Sequence, residues 1–179
     1  MTSSDASKRS EPLGLALVGC GDFGLFCMET YRRLDGLRPA AACDVVPAAA
    51  RRVADRFGIA AETDLDALLA RPDVHVVHLA TPPSTHRELG ESILRAGKHL
   101  LCEKPLATDL GDADALLATA QDLGRIAPVN FVMRYNPVTD AVADLIEREL
   151  LGEPLHASLE NFAGDEKLGP NHWFWNRAV

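Results

Sequence analysis

Gly19-Cys20-Gly21-Asp22-Phe23-Gly24 places three glycines in a GxGxxG spacing, and a carboxylate, Asp44, closes the next apolar run of the chain. Residues of these types can hold a pyrophosphate. Gly19 would permit a tight turn, Gly21 would let the backbone approach the phosphates, and Gly24 would let a helix lie close to a sheet. A helix opening at Asp22 and Phe23 would aim its unpaired N–H groups at the same anion. Asp44 stands near the spacing at which a carboxylate accepts hydrogen bonds from the adenosine ribose hydroxyls of a dinucleotide. Its charge repels a 2′-phosphate and favours NAD over NADP, although Arg51 and Arg52 just beyond it leave room for NADP. GxGxxG alone is weak evidence, because a ligand-free strand-to-helix turn also uses glycine. The elements around it decide its weight.

Those elements alternate. Leu13 to Val18 is a short apolar run ending at the glycines, and Asp22 to Leu34 carries Phe23, Phe26, Cys27 and Leu34 at helical spacing. Leu37 to Asp44 reads as a strand. Pro47 opens a helix through Phe57 and Gly58 closes it. A short helix runs from Asp64 or Asp66 to Leu69, and Val74 to Ala80 has the unbroken apolar character of a strand covered on both faces. Ser84 caps a helix to about Ala96, His99 to Cys102 is a short strand, and a helix from Thr108 or Asp109 reaches about Leu123. Ile126 to Met133 is read as the last strand. This order calls for a parallel sheet with helices on both faces, since crossovers between parallel strands are right-handed. The fold class is α/β, a Rossmann-type doubly wound sheet.

Residues 1–12 read as a flexible tail, 13–136 as the dinucleotide-binding domain, and 137–179 as a linking helix with the beginning of a mixed α+β domain. The helix, Val138 to Leu150, aligns Val138, Ala141, Val142, Leu145 and Ile146 on one face. Leu155 to Phe162 alternates like a strand, and Trp173, Phe174 and Trp175 form an apolar cluster that needs cover. A homo-oligomer or a partner polypeptide associated through this segment would supply it, or the sequence is a truncated product of a longer gene.

A net charge of -8 with dispersed basic residues excludes nucleic acid as a main partner. No run is long enough to span a bilayer and the opening residues lack a signal peptide's apolar stretch, which points to cytoplasm and no membrane partner. Cys20, Cys27, Cys43 and Cys102 are scattered in apolar segments without a CxxC pair and read as reduced core thiols. His75 and His78 read as satisfied core histidines of a strand. No metal site is expected.

Two longer segments carry more. Ala80-Thr81-Pro82-Pro83-Ser84-Thr85-His86 follows one strand, and Ala96-Gly97-Lys98-His99-Leu100-Leu101-Cys102-Glu103-Lys104-Pro105-Leu106-Ala107 surrounds the next. With the glycine loop, they resemble the ATP-x-x-x-H and AGKH-x-x-x-EKP stretches of the glucose-fructose oxidoreductase, inositol dehydrogenase and rhizopine-catabolism (Gfo/Idh/MocA) family, over about Leu13 to Pro137. The resemblance implies an NAD(P)-dependent oxidoreductase that interconverts an alcohol and a carbonyl on a sugar, cyclitol or related polyol. It makes Lys104 the active-site lysine, an amine able to orient or relay the hydroxyl proton as hydride leaves the carbinol carbon. Thr81 and Pro82 would line the nicotinamide pocket, and Glu103 would either face the cofactor or act through its charge on Lys104. His86 fits two readings, a cofactor contact or a first-turn histidine bonded to backbone. Arg134 and Tyr135 fit a substrate contact or an interdomain hinge.

Members of that family are longer, with a C-terminal domain whose Asp and His serve substrate binding and proton transfer. No counterpart occurs before Val179. Two function classes follow: an oxidoreductase whose substrate wall comes from another copy or chain, or a truncated, catalytically impaired dinucleotide-binding module acting in sensing or assembly.

Overall fold

The computed structural model describes residues 11–158 and Glu160. The chain divides into two compact units, Met1–Asn130 and Phe131–Val179. The sequence had placed the boundary a few residues later, at 136.

In the first unit, Leu13–Val18 forms β1, and its successive side chains enter opposite cores as a two-residue repeat requires. Leu15 and Leu17 face helix α1 (Asp22–Tyr31) and helix α2 (Pro47–Phe57) through Met28 and Val53. Ala16 and Val18 enter the larger core on the other side. There they join Leu68 and Leu69 of α3 (Leu65–Leu69), Ile93 and Leu94 of α4 (His86–Arg95), and Leu116 of α5 (Leu110–Asp122).

The remaining strands are β2 (Leu37–Cys43), β3 (Ala60–Glu62), β4 (Val76–Leu79) and β5 (His99–Cys102). All pairings are parallel, in the order β3-β2-β1-β4-β5. The chain therefore leaves β1 towards one edge and returns to build the other, which makes the β1/β4 junction a topological switch point. In such sheets ligands bind outside the carboxyl ends of the strands at that junction. The register of β1 on β2 slips between Leu15 and Ala16, beside Pro39, which has no N–H for the ladder.

Local chemistry fixes the helix ends. Pro47 opens α2 and Gly58 closes it with φ 66°. The side chains of Asp64 and Asp109 cap α3 and α5 by accepting from Ala67 N and Asp112 N.

Several expectations are corrected. Helix α1 ends at Tyr31, not Leu34, because the amides of Arg33 and Leu34 turn back to Thr30 and Tyr31 in a tighter final turn. Strand β3 was not anticipated; three residues are too few to show a period. Ser84 caps nothing, since Pro83–Thr85 forms a 3-10 turn and α4 starts at His86 without a side-chain cap. Ile126 to Met133 is not a strand. Its first half does run beside β5, with Leu100 N donating to Ile126 O, Cys102 N to Pro128 O and Asn130 N to Cys102 O. That register also calls for a bond from residue 128, which is proline and has no N–H, so only a bridge from Val129 to Cys102 remains. Val132–Tyr135 then winds into a 3-10 turn.

In the second unit, α6 spans Pro137–Glu147, and Asn136 Oδ1 accepts from Val138 N to cap it. Its apolar residues Val138, Val142, Leu145 and Ile146 are exposed. Residues 155–158 and Glu160 have no strand structure, against the expectation for Leu155 to Phe162; the rest of that segment, most of the tail, and Trp173, Phe174 and Trp175 lie outside the described residues. Among the described residues no helix is long and apolar enough to cross a membrane.

Candidate functional site

Three loops leave the carboxyl ends of β1, β4 and β5, which are neighbours in the sheet. The first is the glycine loop. Gly19 has φ 95°, and a Cβ there would stand 2.5 Å from Ala80 O, so only glycine lets the loop lie against the β4 loop. A Cβ on Gly24 would meet Gly19 O at 2.3 Å, which explains why α1 can start so close beneath the turn. Gly21 differs: a Cβ there would meet nothing within 4 Å. Its backbone is exposed at the N-terminus of α1, which has no side-chain cap, and Asp22 and Phe23 in the first turn are exposed as well. Open backbone at an uncapped helix start suits a pyrophosphate.

Asp44 sits just beyond β2 and serves the loop directly. Its Oδ2 accepts from Cys20 N at 2.7 Å and its Oδ1 from Val46 N at 2.8 Å. Each carboxylate oxygen has a second lone pair, so ribose hydroxyls can still bind there. Arg52 on α2 donates to Asp22 Oδ1 at 2.9 Å and to Cys20 O at 3.0 Å. Its guanidinium is therefore tied to the loop, while Arg51 is exposed.

His86, fully buried, lies between the β4 and β5 loops, and its neutral ring donates to one of two carbonyl oxygens at a time. Its Nε2 lies 2.9 Å from Thr81 O and its Nδ1 2.9 Å from Pro105 O. Of the two readings for His86, the structure places it as a backbone-bonded link, with no ring nitrogen at the surface. Thr81 Oγ1 meets Thr85 Oγ1 at 2.8 Å, and Thr81 and Pro82 are half-buried. Lys104 is exposed beyond β5.

Glu103 turns the other way, into the sheet, and is 6% exposed. Its Oε1 accepts from Asn130 Nδ2 at 2.5 Å and faces His78 Nε2 at 3.1 Å, while Oε2 accepts from Lys104 N at 3.3 Å. Burial alone would raise its pKa. The hydrogen bonds from His78 and Asn130, the field of His78 and the Lys104 amide outweigh that and hold it below the ordinary glutamate value. Glu103 is thus a buried, paired carboxylate rather than a group open to a cofactor.

The four core thiols are free and buried. Burial, reinforced by Asp44, pushes Cys20 up to about 12, and burial with the charge of Glu103 pushes Cys27 to about 11 and Cys102 to about 12. Cys43 likewise rises to about 11. Cys27, His78 and Glu103 bring one potential metal-ligand atom each within 4.8 Å. Sequence spacing gave no hint of this trio, which joins α1, β4 and the β5 loop, and His78 and Glu103 already bond each other.

His78 is buried as expected for a core histidine. His75 is not: it is exposed, lies before β4, and its Nδ1 accepts from Gly14 N at 3.0 Å. Strand β4 is shorter than the apolar run that seemed to contain it. Arg134 and Tyr135 belong to the second unit and are exposed there. Sequence reasoning missed Asn130 and Tyr31. The one available signal was a histidine inside an apolar strand, which must find buried partners.

The sheet order, the glycine loop and the acid after β2 define a dinucleotide-binding Rossmann domain. The family described as an oxidoreductase family with an NAD-binding Rossmann fold, Gfo/Idh/MocA, matches residues 13–131, and the chain belongs to that family. It is 33% identical over 167 residues to a dTDP-3,4-didehydro-2,6-dideoxy-alpha-D-glucose 3-reductase of Actinomadura kijaniata, covering 90% of this chain and 47% of the relative. It is 34% identical over 137 residues to an inositol 2-dehydrogenase of Rhizobium meliloti (strain 1021), covering 76% of this chain and 41% of the relative. Among solved structures, a 3-ketoreductase from Actinomadura kijaniata in complex with NADP superposes with a TM-score of 0.73 at 32% identity, over 80% of this chain and 46% of that one. The chain spans about half the length of the curated relatives it matches.

Proposed function

We propose that this chain supplies the cofactor half of an NAD(P)-dependent oxidoreductase that interconverts an alcohol and a carbonyl on a sugar, cyclitol or similar polyol. The observation that carries this reading is the convergence of the glycine loop, the Thr81-Pro82 loop and the Glu103-Lys104-Pro105 loop at one end of the sheet. Gly19 packs on Ala80, and His86 lies between Thr81 O and Pro105 O. The names of the relatives, a nucleotide-sugar 3-reductase and an inositol dehydrogenase, support the substrate class.

The residues divide the work. Gly21 and the start of α1 receive the pyrophosphate, with Asp22 and Phe23 flanking it and Gly24 bringing the helix close. Asp44 takes the adenosine ribose and favours NAD. The bound dinucleotide supplies the hydride acceptor or donor. Thr81 and Pro82 wall the nicotinamide end, and Lys104, exposed at the mouth, orients the substrate hydroxyl and takes or returns its proton at Nζ. Arg134 and Tyr135 are assigned to substrate contacts.

The reading extends to a cytoplasmic protein that self-associates through its second unit, whose α6 carries exposed Val138, Val142, Leu145 and Ile146. Light scattering checks this, and a monomer at all concentrations would contradict it.

The functional test is NADH formation from NAD with a panel of polyols, and NADH loss with ketoses. Turnover with at least one cyclic polyol or sugar is expected. Tight dinucleotide binding without turnover across the panel would replace this reading with that of a dinucleotide-binding module in sensing or assembly.

A further inference from the structure

His78 is fully buried against Glu103 and Tyr31 half-buried behind it, and the function proposed above assigns neither a contact with dinucleotide or substrate. Their geometry is nonetheless directional. Glu103, as a carboxylate, can only accept hydrogen bonds, so the 3.1 Å contact from His78 Nε2 requires the imidazole proton on Nε2. In the neutral ring Nδ1 is then an acceptor, and the Tyr31 hydroxyl, 3.2 Å away, donates to it. The Tyr31 ring also meets the His78 ring edge-on at 5.5 Å, which fixes the imidazole plane. Burial is the largest influence raising the Tyr31 pKa and keeps its proton on oxygen. Three elements thus deliver donors in one direction: α1 through Tyr31, β4 through His78, and the segment after α5 through Asn130 Nδ2. No buried side-chain nitrogen or oxygen among the described residues lacks a partner.

His78 and Asn130 occupy Glu103 Oε1, which leaves Oε2 for the amide of Lys104. We propose that His78, with Tyr31 behind it, is a positioning residue: it locks the Glu103 carboxylate so that its free oxygen fixes the Lys104 peptide and the direction in which the lysine leaves the loop. The inference rests on the reading of Lys104 as the proton-handling amine. The backbone of Glu103 is separately tied to β4 by its N–H to Leu79 O. The carboxylate therefore controls orientation at Lys104 more than the position of the strand.

The test uses the full chain and the variants His78→Leu, His78→Gln and Tyr31→Phe. Hydrogen exchange at the Lys104 amide, followed by NMR, reports the network without turnover. It should accelerate about 10-fold in His78→Leu and about 3-fold in Tyr31→Phe. It should return to within about twofold of wild type in His78→Gln, whose amide N–H can replace Nε2–H. NAD reduction with myo-inositol reports the consequence: kcat falls about 100-fold in His78→Leu while NADH affinity stays within about threefold. If His78→Leu does not fold, Tyr31→Phe and His78→Gln carry the comparison.

Unchanged Lys104 exchange in the folded variants overturns the proposal. So does failure of His78→Gln to restore it, or a kcat loss matched by an equal loss of NADH affinity. Exchange that moves as described in a chain that reduces no NAD leaves the network standing and removes the oxidoreductase reading instead.

Discussion

Asp44 and Lys104 illustrate how differently two polar residues of one site are built in. Asp44 bonds two backbone amides, at Cys20 and Val46, so its carboxylate shapes the glycine loop before any ribose arrives. Asp44→Ala should weaken NAD by roughly 10-fold to 100-fold, from the loss of charged hydrogen bonds. NADP should be affected less, since it also loses a repulsion; calorimetry with both dinucleotides measures the difference. Equal losses would remove Asp44 from the ribose site. Lys104 is exposed and supports no core, so Lys104→Ala should change stability by less than about 0.5 kcal/mol. It should abolish turnover with dinucleotide affinity nearly intact, as steady-state kinetics beside NADH titration would show. Glu103 adds a pH dependence. Its pKa in the fold lies below its unfolded value, so its contribution to stability is complete above the unfolded value and drains away as pH falls through the folded one. Chemical denaturation from neutral to acid pH should therefore show a steeper loss for wild type than for Glu103→Gln.

Among the elements, those with complete end signals were legible before the structure. Pro47 and Gly58 mark α2 to the residue, and His99–Cys102 is the strand expected. What was not legible depended on partners distant in sequence. Strand β3 exists because Ala41–Cys43 offers it a ladder, and the segment at Ile126 fails as a strand at the single bond Pro128 cannot make. The place of the glycines in a strand-to-helix turn, and of Asp44 just after β2, was readable because their spacing is local. The burial of Glu103 and His86 was not, since their partners His78, Asn130, Thr81 and Pro105 come from separate elements. Packing between α4 and α5 gives a test of the same kind. A Cβ on Gly90 would approach Leu116 Cδ1 at 2.9 Å. Gly90→Val should cost about 1–3 kcal/mol by overpacking despite its better helix propensity. A thermal melt at or above that of wild type would show that α5 yields instead.

At the scale of the molecule, the doubly wound sheet does one thing for function: it brings the ends of β1, β4 and β5 together at the switch point. The second unit adds an exposed apolar helix face. In the function proposed above, the open backbone at Gly21 receives the dinucleotide. Because a Cβ there meets no protein atom, Gly21→Ala should leave the melting temperature within a few degrees of wild type, as φ at this position is ordinary. Titration calorimetry of NADH into both proteins measures the binding directly. Micromolar binding is expected from the wild-type chain, and at least about 10-fold weaker binding from an equally stable Gly21→Ala. A folded wild type that takes up no NADH, or a variant that binds it equally well, would contradict that reading.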